Sequence, residues 1–294
     1  MKRTTVAGIS LVLVAVTWGA AFVIMKPAIV QQPFYDFLAT RFTIATLAMI
    51  LVRPQVLRVI DRDLLKKGIP LGLMLGLGYV TQTIALELTT AAITGFLTGL
   101  YLVFTPIIAW LVLRHRVSKK VVFAIALATV GLAILSVSGF SIELGQIWGI
   151  ICAVLFAAHI VGLSVWSPGK NTYALTVLQL GTVAAVCWVG ALADGSYQAA
   201  PNQDVWFAIF FTAILSTAVA FFVQTWAQSI MDSSRVALIL TTEVVFAAAI
   251  SVGVGQEELS AKTLIGGGLM LIAMLIVEWP SRKERQLGAD PLVH

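Results

Sequence analysis

Glu243 and His159 stand deep inside long apolar runs, where an ionisable side chain needs a reason to be. A polar group taken out of water is costly unless it meets a partner, so such residues tend to face a cavity or a neighbouring helix. Gln82 and Gln224 lie in similar surroundings. Each amide offers donors and an acceptor, so two of them facing one axis can bind both ends of a zwitterion. Tyr101, Tyr79 and Trp18 add aromatic surface at comparable depth, suited to stacking or to cation–π contact with a solute. The chemistry on offer is recognition. A buried carboxylate can meet an amino group or a coupling proton, amides can orient a small polar solute, and rings can hold its apolar part. Each residue also has a plainer reading: Glu243 hydrogen-bonded to a neighbouring helix, the two glutamines as interhelical glue, and His159 as a satisfied core residue.

Two further cations sit near span ends. Arg41 opens the second apolar run on the side opposite the termini, and Lys26 precedes Pro27. Arg41 could draw carboxylates inward, but a long cationic side chain near a span end can equally snorkel to headgroups. Pro27 and Pro106 each remove a helix hydrogen bond. Gly72 with Gly76, Gly95 with Gly99, and the run Gly266-Gly267-Gly268 permit close helix approach. Trp110, Trp166 and Trp188 fall toward span ends, where tryptophan anchors at the interface.

The elements that position these groups follow from composition. Of 294 residues, 59% are hydrophobic and 11% charged, with a mean hydropathy of +0.96. A soluble domain carries roughly 25% charged residues, so the solvent for most of this surface is lipid. Polar punctuation divides the chain into ten apolar spans at 6–30, 34–52, 68–88, 92–113, 120–138, 146–166, 173–193, 205–229, 234–254 and 262–279. Each is near the ~20 residues that a helix needs to cross the hydrocarbon core. Continuous rather than alternating apolarity predicts helices, not a barrel. Thr89-Thr90, Ser118, Asp232-Ser233-Ser234 and Ser260 are placed to cap helix starts. Cys152 and Cys187 lie inside spans and predict neither a disulfide nor a metal site.

Ten spans place both termini on one side. Nearly all of the 19 Lys and Arg then fall on that side, in the segments around Lys2, Arg58, Lys119, Lys170, Arg235 and Lys283, while Lys262 alone falls on the other. By the positive-inside rule both termini are cytoplasmic, and the expected location is a bacterial inner membrane. The pI of 9.4 then reports topology rather than affinity for nucleic acid.

At an offset of 142 residues, Gln82-Thr83 falls on Gln224-Thr225, Tyr101 on Glu243, and Val117-Ser118-Lys119-Lys120 on Leu259-Ser260-Ala261-Lys262. His159 falls opposite Phe22 in a slightly different register. The first five spans, 6–138, are repeated as the last five, 146–279, followed by a cytoplasmic tail at 280–294. Five is odd, so the second copy enters the membrane from the opposite side. Such inverted repeats, giving two near-equivalent states open to either face, are a recurring design of secondary transporters.

Thr17-Trp18-Gly19-Ala20-Ala21-Phe22, Ala39-Thr40-Arg41-Phe42 and the doubled block ending in Leu259-Ser260 resemble the two EamA domains of the drug/metabolite transporter superfamily. Within it the chain looks most like the aromatic amino-acid exporter (YddG-type) branch. The resemblance implies a central cavity lined by spans 1–4 and 6–9, with spans 5 and 10 peripheral, and amino acids or related metabolites as cargo. The second half departs from the pattern, having Leu155-Phe156 where Trp18-Gly19 projects.

The expectation is therefore an all-α integral membrane protein, ten transmembrane helices as two inverted five-helix repeats around a central cavity. It would export amino acids with aromatic or apolar side chains, acting as a monomer and without cofactor or metal. The substrate-contacting residues would be Trp18, Tyr79, Gln82, Tyr101, His159, Gln224 and Glu243. Gly169-Lys170-Asn171 fails the phosphate-loop pattern, and neither a His-Glu-x-x-His helix nor a Gly-x-Ser-x-Gly elbow is present. Rival readings are export of other metabolites or cationic drugs, a channel, and an intramembrane enzyme on lipid-linked substrates.

Overall fold

A computed structural model of the chain describes residues 3–89, 91–114, 119–136, 144–193, 195–255, 258 and 261–278. It is helical throughout, with no strand among the described residues. Helices α1 (Arg3–Ile29), α2 (Phe34–Val52) and α3 (Arg62–Leu88) are continuous, with a 3-10 turn at Pro54–Val59 between the last two. The next apolar run is split into α4 (Ala91–Gly99) and α5 (Tyr101–Leu113), and α6 (Lys119–Ser136) follows. The second half opens with continuous helices α7 (Leu144–Trp166) and α8 (Thr172–Ala191). Its next run is α9 (Gln203–Ala213), a π-helical stretch Ile214–Val219, and α10 (Ala220–Gln228). The last two runs are α11 (Ser233–Leu240) with α12 (Glu243–Gly253), and α13 (Ala261–Glu278).

Local chemistry fixes several ends. Asp61, Asn171, Asn202 and Asp232 each accept a hydrogen bond from a backbone N–H in the first turn that follows, meeting donors that a helix start leaves free. Asp232 caps as its sequence position suggests. Thr89 instead closes α3: its N–H and its hydroxyl both donate to the Ala85 carbonyl, because the chain turns there before entering α4. Thr90, Ser118, Ser260 and the 280–294 tail lie outside the described residues.

Among the described residues, eight runs are long and apolar enough to cross a membrane: α1, α2, α3, Ile93–Val112, α7, α8, Gln203–Gln228 and Ser233–Gly253. Helices α6 and α13, 18 residues each, occupy the other two positions expected from the sequence.

The packing pairs are unchanged when the helices before residue 140 are exchanged with those after it. Helix α3 packs on α7 as α10 packs on α1, and α3 packs on α8 as α9 packs on α2. Likewise α4 and α5 lie against α7 as α12 and α11 lie against α1, while α2–α8 and α6–α13 map onto themselves. Helices α6 and α13 sit to one side, packed on each other. The other helices surround a central space.

Candidate transport site

Each of the two split runs breaks at the same repeat position, one residue before a chemically active side chain. Tyr101 is the first residue of α5 and Glu243 the first of α12. In the second half the break has a visible cause. The hydroxyls of Thr241 and Thr242 turn back onto the carbonyls of Ala237 (2.7 Å) and Ile239 (2.6 Å), competing with the helix ladder at the end of α11. Glu243 follows this tightened turn directly; the backbone stays right-handed helical through Thr241 and Thr242. Helix α1 approaches this turn closely: a Cβ on Gly19 would lie 2.8 Å from the Glu243 carbonyl and 2.7 Å from the Ala247 nitrogen. Only glycine fits there, and its neighbour Trp18 is delivered to the same space.

That space is a cavity of about 540 Å³. All seven residues named from the sequence line it: Trp18, Tyr79, Gln82, Tyr101, His159, Gln224 and Glu243. The repeat mates Gln82 and Gln224 both face it. Gln82 donates from Nε2 to Thr98 (3.1 Å) and Gln224 donates to Gln228 (3.0 Å), so each is also tied into the bundle. Nε2 of His159 meets Oε1 of Gln179 at 2.7 Å, which gives it the plainer role of joining α7 to α8 while its ring borders the cavity. The indole N–H of Trp18 donates to the Ser216 carbonyl at 2.8 Å, leaving its ring face for contact. Tyr79 sits amid Phe42, Phe156 and Phe221 in edge-on contacts.

Arg41 also lines the cavity; that rules out the headgroup role and leaves it facing the space into which it was expected to draw carboxylates, but deeper than the outer face. It is 1% exposed. Its Nε donates to Thr217 Oγ1 at 2.9 Å, one terminal nitrogen lies 3.1 Å from Met25 Sδ, and the guanidinium stands 5.0 Å from the Tyr79 ring centre and 5.2 Å from that of Phe42. The signal that could have placed it is depth. Arg41 follows Phe34, the first residue of its helix, by seven residues, roughly 10 Å at ~1.5 Å per residue, too far in for the outer surface once the helix packs on both sides. Lys26 is likewise turned inward, donating to the carbonyls of Leu86 and Thr89 at the end of α3. Sequence reasoning also passed over Phe221 and Thr98, which nothing in their local pattern distinguishes from core.

Arg41 and Glu243 thus face one space without forming an ion pair with each other. Among the described residues no cluster of three His, Cys, Asp or Glu side chains could hold a metal. A cavity with a guanidinium and a carboxyl on its lining and a ring-lined wall is suited to holding a small dipolar solute.

The model of the EamA-like transporter family matches residues 6–137 and again 143–279. The chain belongs to the EamA-like transporter family. It is a multi-pass membrane transporter of the drug/metabolite superfamily. An uncharacterized transporter from Archaeoglobus fulgidus is 36% identical over 272 residues, covering 92% of this chain and 85% of that protein. A solved crystal structure superposes on this EamA-family chain with a TM-score of 0.74 at 19% identity, covering 98% of this chain and 99% of that one; at that identity it speaks to the fold alone.

Proposed function

We propose that this EamA-family transporter exports amino acids, with aromatic or apolar side chains accommodated, by alternating access around the central cavity. In this reading ten membrane spans form two inverted five-helix repeats, 6–138 and 146–279, in a cytoplasmic membrane with both termini inside, and the monomer suffices for transport. Four observations support the architecture: the double family match, the packing pairs that survive exchange of the halves, the charge split of the loops, and the helix breaks before Tyr101 and Glu243. Such breaks let half-helices tilt separately, as discontinuous helices do at transporter binding sites.

The observation that carries the amino-acid assignment is that a guanidinium and a carboxylate, 1% and 3% exposed, line one cavity unpaired with each other. Buried charges are costly without a partner. A zwitterion supplies both at once, its carboxylate to Arg41 and its ammonium to Glu243, while Trp18, Tyr79, Phe156 and Phe221 hold its side chain.

The test is counterflow in proteoliposomes with labelled amino acids, nucleotide sugars and cationic drugs. Amino acids such as tyrosine should exchange, and Glu243→Gln should lower the initial rate by at least about tenfold, the effect of losing ~1.4 kcal/mol of binding, while remaining monodisperse. If nucleotide sugars or drugs moved and no amino acid did, the cargo assignment would be wrong; an unimpaired Glu243→Gln variant would remove that residue from the site.

A further inference from the structure

The two charged poles of the cavity are unequally provided for. At the Arg41 pole the protein supplies its own partners: the Thr217 hydroxyl, the Met25 sulfur and the ring faces of Tyr79 and Phe42. Elsewhere around the cavity three oxygens have no hydrogen-bond partner: Oε1 of Glu243, the hydroxyl of Tyr101 and Oε1 of Gln224. Each belongs to a residue no more than 3% exposed, and each residue lines the cavity. The Tyr101 hydroxyl lies beside both the Glu243 carboxyl and the Thr241 hydroxyl, but without the alignment of a hydrogen bond. Buried polar atoms are almost always satisfied; of the eight unpartnered side-chain atoms among the described residues, these three belong to residues lining the cavity, where a solute can reach them. A primary ammonium carries three N–H donors and no acceptor, the complement of what stands there.

We propose that the ammonium end of the solute is the obligatory one, and that the chain therefore also carries primary amines with an aromatic or apolar tail and no carboxylate. The claim rests on the amino-acid reading and extends it to a second substrate class. The physical reason is an asymmetry of loss. An amine without a carboxylate satisfies the orphaned oxygens and neutralises Glu243, leaving Arg41 with the contacts it already has. An acid without an amino group neutralises Arg41, but it leaves the three oxygens unmatched and shuts a second carboxylate into the chamber of the first, where like charges repel strongly at low dielectric. Deleting the carboxylate is tolerated; deleting the amino group is not.

Three solutes that share one ring separate these cases: tyrosine, tyramine and 4-hydroxyphenylpropionate. Counterflow is measured in proteoliposomes, with leak into protein-free liposomes subtracted. Tyramine should exchange within about tenfold of the tyrosine rate, and the deaminated acid at least about tenfold more slowly than either. Glu243→Gln should abolish tyramine exchange. Tyrosine moving without tyramine, the acid moving as fast as tyramine, or tyramine exchange surviving in Glu243→Gln would each overturn the inference while leaving amino-acid transport standing. A sodium ion in the same place would show as tyrosine exchange that requires sodium and that tyramine does not inhibit, which also overturns it. If none of the three solutes moved while another class did, the amino-acid reading would fail, and this extension with it.

Discussion

Helix α3 and the run from α9 to α10 occupy the same place in the two halves, and they are built for different tasks. Helix α3 is unbroken over 27 residues and joins its neighbours by close contact. A Cβ on Gly68 would lie 2.8 Å from the Leu178 side chain, and one on Gly72 would lie 2.5 Å from Thr182 and 2.8 Å from the Gln179 carbonyl. Its counterpart is interrupted at Ile214–Val219 by a π-helical stretch and joins its neighbours by hydrogen bonds. There the Ala220 N–H bonds to Leu215 and Thr217 rather than to the Ser216 carbonyl four residues back, and that carbonyl accepts the Trp18 indole N–H instead. The Ser216 hydroxyl donates to the Thr17 carbonyl at 3.0 Å, and the Thr217 hydroxyl accepts from Arg41. One helix is a strut. The other is a mount that holds a cavity side chain from α1 and one from α2, in keeping with the frequent place of π-bulges at functional sites.

The largest effect expected from this contrast is on the strut. Gly72→Leu drives a branched side chain into backbone as well as side chain of α8, and backbone cannot swing aside. Overpacking of a dense core costs ~1–3 kcal/mol, and a leucine against the Gln179 carbonyl lies at or beyond the upper end. The variant should fail to give monodisperse protein in detergent. Normal yield and thermal stability for Gly72→Leu would mean that α3 and α8 slide freely, and the strut description would have to go.

A smaller and more selective effect is expected at the mount. Thr217 is fully buried and does not itself line the cavity; it acts by holding Arg41. Thr217→Val keeps the shape and removes the acceptor, so the guanidinium loses its anchor. KM for amino acids should rise by about tenfold, near ~1.4 kcal/mol, with maximal rate and protein yield little changed, and Thr217→Ser should restore the original value. A purely structural role would lower yield or maximal rate instead and leave KM alone.

This contrast was only partly legible beforehand, and the reasons are physical. Span positions follow from hydrocarbon thickness, a property of local composition, and the observed helix ends lie close to them. Glu243, Gln82 and Gln224 were identifiable because a polar group at bilayer depth is costly whatever surrounds it, and the repeat offset tied Tyr101 to them. The helix breaks were not legible. Gly99-Leu100 and Thr241-Thr242 lie in runs that are apolar all round, where no periodicity marks a turn. The π stretch is held by Trp18 and Arg41, 199 and 176 residues away from the Ser216 and Thr217 they meet, and no local pattern encodes such partners. Arg41 itself was misplaced because charge near a span end was weighed as an interfacial signal before its depth was counted.

The smallest effect concerns how the strut is fastened at its other end. Lys170, in the turn between α7 and α8, reaches Asp63 in the first turn of α3 at 2.8 Å, and Lys67 meets the same carboxylate oxygen at 2.8 Å. The Asp63 hydrogen bond raises the Lys170 pKa above the ordinary lysine value of 10.5. A raised lysine pKa contributes stability that is fully present below 10.5 and is lost as the pH climbs through the raised value, so the contribution is flat across neutral pH and fades only in strong alkali. The pair is largely open to solvent, and exposed pairs contribute little and are screened by salt. Lys170→Ala should therefore lower thermal stability in detergent only slightly, less so at high salt, and by an amount that does not change between pH 6 and 9 because both carry the same charges there. A large loss at Lys170→Ala would mean that α3 depends on this ionic tie rather than on its glycine contacts with α8, reversing the order of importance between the two.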